Sequence, residues 1–344
     1  LEYHVPVTCI CPVIEVILNQ MAGLKVTSLP EPSTVSYLAY ELGVLSDLQV
    51  GEIMYNGNNI TLSWDSTTIN GEHINEVHIS VSLVPPKSYV LSLRSLAGGT
   101  TEDYMSHICD SINSIITTYA AYHGVDYLHA KSRIIKHLKN TLSDRVAVNH
   151  CVVQQLESAF EVELLELKCN IHPLDGIAKK CTNILKVYDN QNNVTSDTFG
   201  RDCCAVNFII AMNKMRFKQG KGDPSGFKQF LRQNYIKQSI IIRYVGNRFH
   251  VLFHLAGVLY YLRTMLVIYL EKSCNNNTTL RTSLVKDLRN INILLQLRAL
   301  GIIGKMVTGP WMHELYTNSG ISNLDSINYI KMCLENLNAL KENP

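Results

Sequence analysis

The dipeptide Asn70-Gly71 constrains the fold of this chain more than any other feature. A tight hairpin turn of type I′ needs positive φ at both central residues, and Asn-Gly tolerates that best. The residues on either side read as strands. Asn59–Asp65 is an apolar, β-rich run, and Glu76–Val84 alternates through Val77, Ile79, Val81 and Leu83. The polar stretch Thr67–Gly71 joins the two. Pro85-Pro86 ends the return strand, and Tyr89–Leu93 offers a third.

Beyond this meander the period changes. Thr100–Tyr119 reads as a helix capped by Thr100, with Glu102 and Asp103 in its first turn. Met105, Ile108, Ile112, Ile115 and Ile116 line one face. Ile134–Leu142 contains a fourth strand, although its first half suits a helix equally. Val146–Phe160 is a helix and Val162–Leu167 a short fifth strand. Three strands, helix, strand, helix, strand is an α/β arrangement with a mixed sheet, and its order resembles a ribonuclease H-like core.

The flanks differ from this core. Residues 1–56 read as a helical lead-in, with Ser33 after Pro32 as a cap. Residues 57–174 form the core. Residues 175–304 show no strand period and read as a large all-helical insertion, broken by the polar stretches Asn190–Arg201 and Gly220–Gly226. Residues 305–344 read as helices that complete the core, the last from about Asn323 to Lys341. The apolar run Val251–Leu270 is long enough to span a bilayer, but His254 and Arg263 within it favour a buried helix and no membrane. Ten cysteines without a regular framework read as reduced thiols of an intracellular protein.

Charge follows the same division. The chain carries 31 Lys/Arg and 29 Asp/Glu, a net of +2. Between Asp175 and Lys305 stand 20 Lys/Arg and 7 Asp/Glu, a net of +13, which leaves −11 for the rest. A basic module joined to an acidic one points to a polyanionic partner such as double-stranded DNA. Lys214, Arg216 and Lys218 form its densest basic group and are candidate DNA contacts.

Asp65 and Asp144 are the candidate metal ligands. Each stands at the end of a strand, far apart in sequence, as a two-metal phosphoryl-transfer site requires. The alternative for Asp65 is a turn cap before Ser66, and for Asp144 a helix N-cap. Cys169-Asn170-Ile171-His172 has the spacing of a zinc half-site. His250 and His254, on one helix face, would be the second half. Packed side chains are the alternative.

With these residues in view, the chain resembles the catalytic core of eukaryotic cut-and-paste DDE transposases, the group that includes the hAT, P element and Kolobok types. The resemblance rests on the Asp65 strand, the Ser143-Asp144-Arg145 junction and the Cys-Xaa-Xaa-His after the next strand, and it spans roughly Ser36 to Tyr316. It implies that Asp65, Asp144 and a third acid bind Mg²⁺ or Mn²⁺ for DNA strand cleavage and transfer. Glu314 is the first candidate for that acid, with Glu335 and Glu271 as alternatives, unless the acid is lost or lies beyond Pro344. His172 would lie beside the active site, Cys169 would support its turn, and Arg248 would meet the DNA backbone. A nuclear location and homo-oligomers accord with the resemblance. So does a domesticated, catalytically silent DNA- or protein-binding descendant.

Overall fold

The computed structural model describes residues 6–82, 87–237, 239–244, 246, 249–272, 278–317 and 325–342. The chain is mixed α/β and mostly helical. It divides into two units, Leu1–Lys168 and Cys169–Pro344.

The first unit begins with α1 (Val7–Val16), a π turn and α2 (Pro32–Asn56). Three strands follow, β1 (Ile60–Ile69), β2 (Glu72–Val81) and β3 (Lys87–Leu96). Then come α3 (Thr101–His123), α4 (Tyr127–His137), β4 (Leu138–Ser143), α5 (Ala147–Phe160) and β5 (Leu165–Lys168). The sheet order is β3-β2-β1-β4-β5. The first three strands form an antiparallel meander, β2 running against both β1 and β3; β4 runs parallel to β1, and β5 parallel to β4.

The hairpin turn is tighter than the polar stretch suggested. Only Asn70 (φ 53°) and Gly71 (φ 89°) leave the ladder, and Ile69 pairs with Glu72. Thr67 and Thr68 belong to β1, where β-branched side chains fit the pleat. Asp65 therefore lies inside β1 and does not end it.

One face of β1 and β2 carries Ile60, Leu62, Trp64, Val77 and Ile79, all buried in one cluster with Ile108, Ile112, Ile115 and Ile116 of α3. Burying each such side chain contributes roughly 1.5–3 kcal/mol before entropy is counted. Thr100 caps α3 in a reciprocal box with Asp103, as its sequence suggests. Towards the hairpin tip the face turns polar. Ser66 Oγ donates to Asn75 Oδ1 (2.9 Å), Asn75 Nδ2 meets His107 Nδ1 (2.8 Å), and His107 Nε2 meets Ser92 Oγ (2.9 Å). The Asn75 amide thus presents N–H to the ring, so Nδ1 accepts and the neutral Nε2–H tautomer fits. Burial, and secondarily Arg94, push His107 below the usual imidazole range, against a pull from Asp110.

Three local expectations change. Pro32 occupies the first turn of α2 and Glu31 the N-cap position, so Ser33 is not the cap. The stretch Ile134–Leu142 is helical up to His137 and extended from Leu138 onward. The fifth strand starts at Leu165, because Glu161 takes the left-handed conformation that ends α5.

The second unit contains α6 (Pro173–Gln191), α7 (Cys204–Lys214), α8 (Pro224–Gln233), α9 (Val251–Tyr261), α10 (Arg263–Lys272), α11 (Thr279–Arg289), α12 (Ile291–Ile303), α13 (Gly309–Thr317) and α14 (Ser326–Glu342). Its described residues include no strand. Phe208, Phe253, Leu284 and Leu297 lie at its core. Gly257 and Gly301 let α9 and α12 touch, since a Cβ on Gly301 would sit 2.7 Å from Gly257 Cα. Val251–Leu270 is two helices, bent by 71°. Arg263 Nη1 donates to the Tyr260 carbonyl at the bend (2.9 Å). A π turn, Gly304–Thr308, joins α12 to α13, and Ile291–Thr317 is long and apolar enough to cross a membrane. Ile293, Leu297, Leu300, Val307 and Trp311 of that helix are buried within its own unit. Asn323 lies outside the described residues. No disulfide joins the nine described cysteines to one another.

Replacing Gly71 by Ala forces a side chain into a positive-φ position with open space around it. The cost expected is about 1 kcal/mol, purely from the backbone, measured by urea unfolding. His107 supplies a pH dependence. With its folded pKa depressed, its contribution is complete above the ordinary 6.5 and is lost as pH falls from there towards the folded value. Thermal unfolding at pH 7.5, 6.5 and 5.5 should show that loss, and His107→Gln should show a shallower slope from a lower starting stability.

Candidate functional site

The parallel pairing of β1 with β4 sets the site. It begins at Ile60↔Leu138, shifts by one residue, and continues as Thr61↔Asn140, Leu62↔Thr141 and Ser63↔Leu142. Asp65 and Asp144 each follow the last pair by two residues. Carried on past that pair, the register would bring Asp65, inside β1, level with Asp144, the first residue after β4, and the alternation of strand side chains gives Asp65 the same sheet face as Ser63. The shift absorbs Lys139. Without it Asp65 would be level with Ser143.

Asp65 is exposed, and its Oδ1 accepts the Ser66 N–H at 2.8 Å. Directly across the hairpin stands Glu76, and His78 faces Ser63. Cross-strand partners share a face, so Asp65, Glu76 and His78 lie together on one face of the sheet. His78 Nδ1 lies 3.6 Å from Glu76 Oε1. Burial pushes His78 below its usual pKa, opposed by the Glu76 and Asp65 carboxylates. Glu76 was not singled out in the sequence. A two-residue loop at 70–71 would have identified it, because it fixes which residue of the return strand opposes Asp65.

Asp144 is not a helix cap. Val146 holds the N-cap position of α5 and supplies no side-chain bond. A different residue organises this junction. Asn149, buried on α5, accepts the Trp64 indole N–H through Oδ1 (2.9 Å) and donates from Nδ2 to the Asp144 carbonyl (3.2 Å). One side chain thus ties the residue before Asp65 to the backbone of Asp144.

β5 extends the row. Lys168 pairs with Ser143, so the chain leaves β5 at Cys169 beside Asp144. His172 then stands at the N-cap position of α6, its ring edge-on to Phe249 at 5.9 Å. Within the second unit, Cys169 and His172 offer ligand atoms within 4.8 Å of one another. A thiol and an imidazole suit zinc better than magnesium. The second half-site expected for zinc is occupied otherwise: His250 Nδ1 meets Thr308 Oγ1 (2.7 Å), and His254 Nε2 meets the Ile240 carbonyl (2.6 Å).

The remaining candidates lie in the second unit. Glu314, on α13, accepts from the Tyr329 hydroxyl at 3.2 Å and borders a groove with His250, His254, His313 and Tyr261. Glu335 is exposed on α14, and Glu271 pairs with Arg289. Lys214 and Lys218 are exposed. Arg216 is half-buried, with Nη2 lacking a hydrogen-bond partner. Arg248 lies outside the described residues.

No protein-family model matches this chain, and no curated protein matches it.

Asn149→Ala should cost about 2–3 kcal/mol in urea unfolding, because it strands a buried indole N–H and a part-buried carbonyl together.

Proposed function

We propose that the first unit is a ribonuclease H-like catalytic core and that the chain is a metal-dependent DNA strand-cleaving and strand-transferring protein of the DDE transposase type. The observation that carries this reading is the position of Asp65 in β1 and of Asp144 just past the end of β4, each two residues beyond the last pair of two parallel strands in a 3-2-1-4-5 sheet. The sheet order and strand directions support the fold assignment, and the net charge of +13 between Asp175 and Lys305 supports double-stranded DNA as the partner. A nuclear site of action follows from the same reading.

Carboxylate oxygens are the ligands that Mg²⁺ and Mn²⁺ prefer, and Asp65 and Asp144 would hold them. Bound there, such ions supply an activated water or 3′-OH nucleophile and stabilise the leaving oxygen. Glu314 is the third acid of this reading. Glu76, facing Asp65 across the hairpin, is the further carboxylate that the first unit itself offers. Asn149 keeps the backbone of Asp144 in register with β1, and His78, held neutral by burial, adds no competing positive charge beside Asp65. The second reading, a silent DNA-binding descendant, keeps the fold and the basic surface but cleaves nothing.

Nicking of supercoiled plasmid in Mg²⁺ or Mn²⁺ separates the two. Wild type is expected to nick, while Asp65→Asn and Asp144→Asn lose about 100-fold or more in rate, beyond the roughly 10–100-fold that loss of an outer-shell partner costs, and still bind DNA. Wild-type binding without nicking would favour the silent descendant. Loss of binding together with cleavage would make both aspartates structural.

A further inference from the structure

A small cavity in the second unit gathers cations without an acid. Its volume is about 250 Å³, and Arg216, Lys228 and Arg243 line it together with Phe217, Phe227 and Leu231. None of the three cations has an ion pair among the described residues. Arg216 Nη2 is buried with no hydrogen-bond partner. A buried guanidinium donor left unmet is costly, and an oxyanion that accepts from it removes the cost.

The walls are fixed. After α7 the chain turns back on itself, and Gly222 lies so close that a Cβ there would meet the Lys214 carbonyl at 2.1 Å. Asp223 N–H donates to the Met215 carbonyl (3.1 Å), and the Asp223 carboxylate caps α8 through Gly226 N–H (2.8 Å). Arg281, fully buried, donates to the same carboxylate at 2.6 Å. Asp223, which precedes the lining residue Pro224, is thus engaged on α8, and Lys228 and Phe227 are held by that helix. Arg243 lies over the Phe217 ring, 5.5 Å from its centroid. The volume falls below that of usual drug-sized pockets, about 300–1,000 Å³. It suits one tetrahedral group and not a whole nucleotide.

We infer that this cavity is a phosphate-binding subsite in which Arg216, Lys228 and Arg243 grip one phosphate group. That the phosphate belongs to duplex DNA rests on the function proposed above. A free phosphate would use the same chemistry.

Two measurements on the full chain test this. The first is line broadening of inorganic phosphate in ³¹P NMR at fixed ionic strength. The second is anisotropy of a fluorescent 20-base-pair duplex across a KCl series, with Arg216→Gln, Lys228→Gln and Arg243→Gln beside wild type. Wild type is expected to broaden the phosphate line, and each variant to abolish the broadening. With DNA as the source, each variant weakens duplex binding severalfold and lowers the slope of log affinity against log salt by about one. Broadening lost in the variants with duplex binding unchanged keeps the subsite and assigns it to free phosphate. Broadening absent, or unaffected by the variants, together with an unchanged salt slope overturns it. Lys228 and Arg243 are exposed, so those variants decide the matter if Arg216→Gln fails to fold. The nicking assay with Asp65→Asn is independent, so a failed phosphate site and a failed catalytic reading are told apart.

Discussion

The arrangement depends on β1 hydrogen-bonding on both edges, antiparallel to β2 and parallel to β4. Because side chains alternate along a strand, a slip of one residue on either edge would exchange its buried and exposed faces. Each edge has its own register device. The Asn70-Gly71 turn fixes the antiparallel edge, and the single extra residue at Lys139 fixes the parallel one. Trp64 and Asn149 then lock the parallel edge from the helix side. Glu76 opposite Asp65, and Asp65 and Asp144 each two residues past the last β1–β4 pair, owe their positions to these devices jointly.

Polar groups inside the two units are placed with the same economy. In the first, Ser66, Asn75, His107 and Ser92 form a chain in which each donor finds an acceptor. In the second, Asp287 at the end of α11 accepts from Ser196 Oγ, Asp197 N–H, Thr198 N–H and Thr198 Oγ1. A loop that reads as a polar break in the sequence is thereby anchored through its hydroxyls. Asp189 does the same for the start of α7, accepting from the Cys204 N–H. Unpaired, such buried carboxylates would be strongly destabilising.

Much of the first unit was legible because its signals are local. The turn needs positive φ, the Thr100 box needs only an acid three residues on, and the α3 isoleucines repeat at helical period. What was missed involved competition between neighbours. Lys139 and Asn140 hide β4, which follows α4 without an intervening loop, so the helical pattern of Ile134 and Ile135 runs into it. Asp144 looked like a cap because Asp caps well, but the helix starts three residues later. The break in Val251–Leu270 has no Pro or Gly to mark it. There the Arg263 side chain satisfies the Tyr260 carbonyl that the bend frees. Of the candidate site, both aspartates were readable, whereas Asn149 was not, since a mid-helix Asn carries no signal until its two partners are known.

The π turn between α12 and α13 has a consequence for the genetics of this protein. Five residues there span what a regular helix covers with one fewer, so everything downstream is rotated by about 100° relative to an uninterrupted helix. Trp311 reaches the interior, and Glu314 borders its groove, in that rotated frame. The frame is set by how many residues lie between Gly304 and Thr308 more than by which they are. An in-frame loss of a single codon in this stretch would leave every side chain of α13 in the protein and yet aim the whole helix elsewhere.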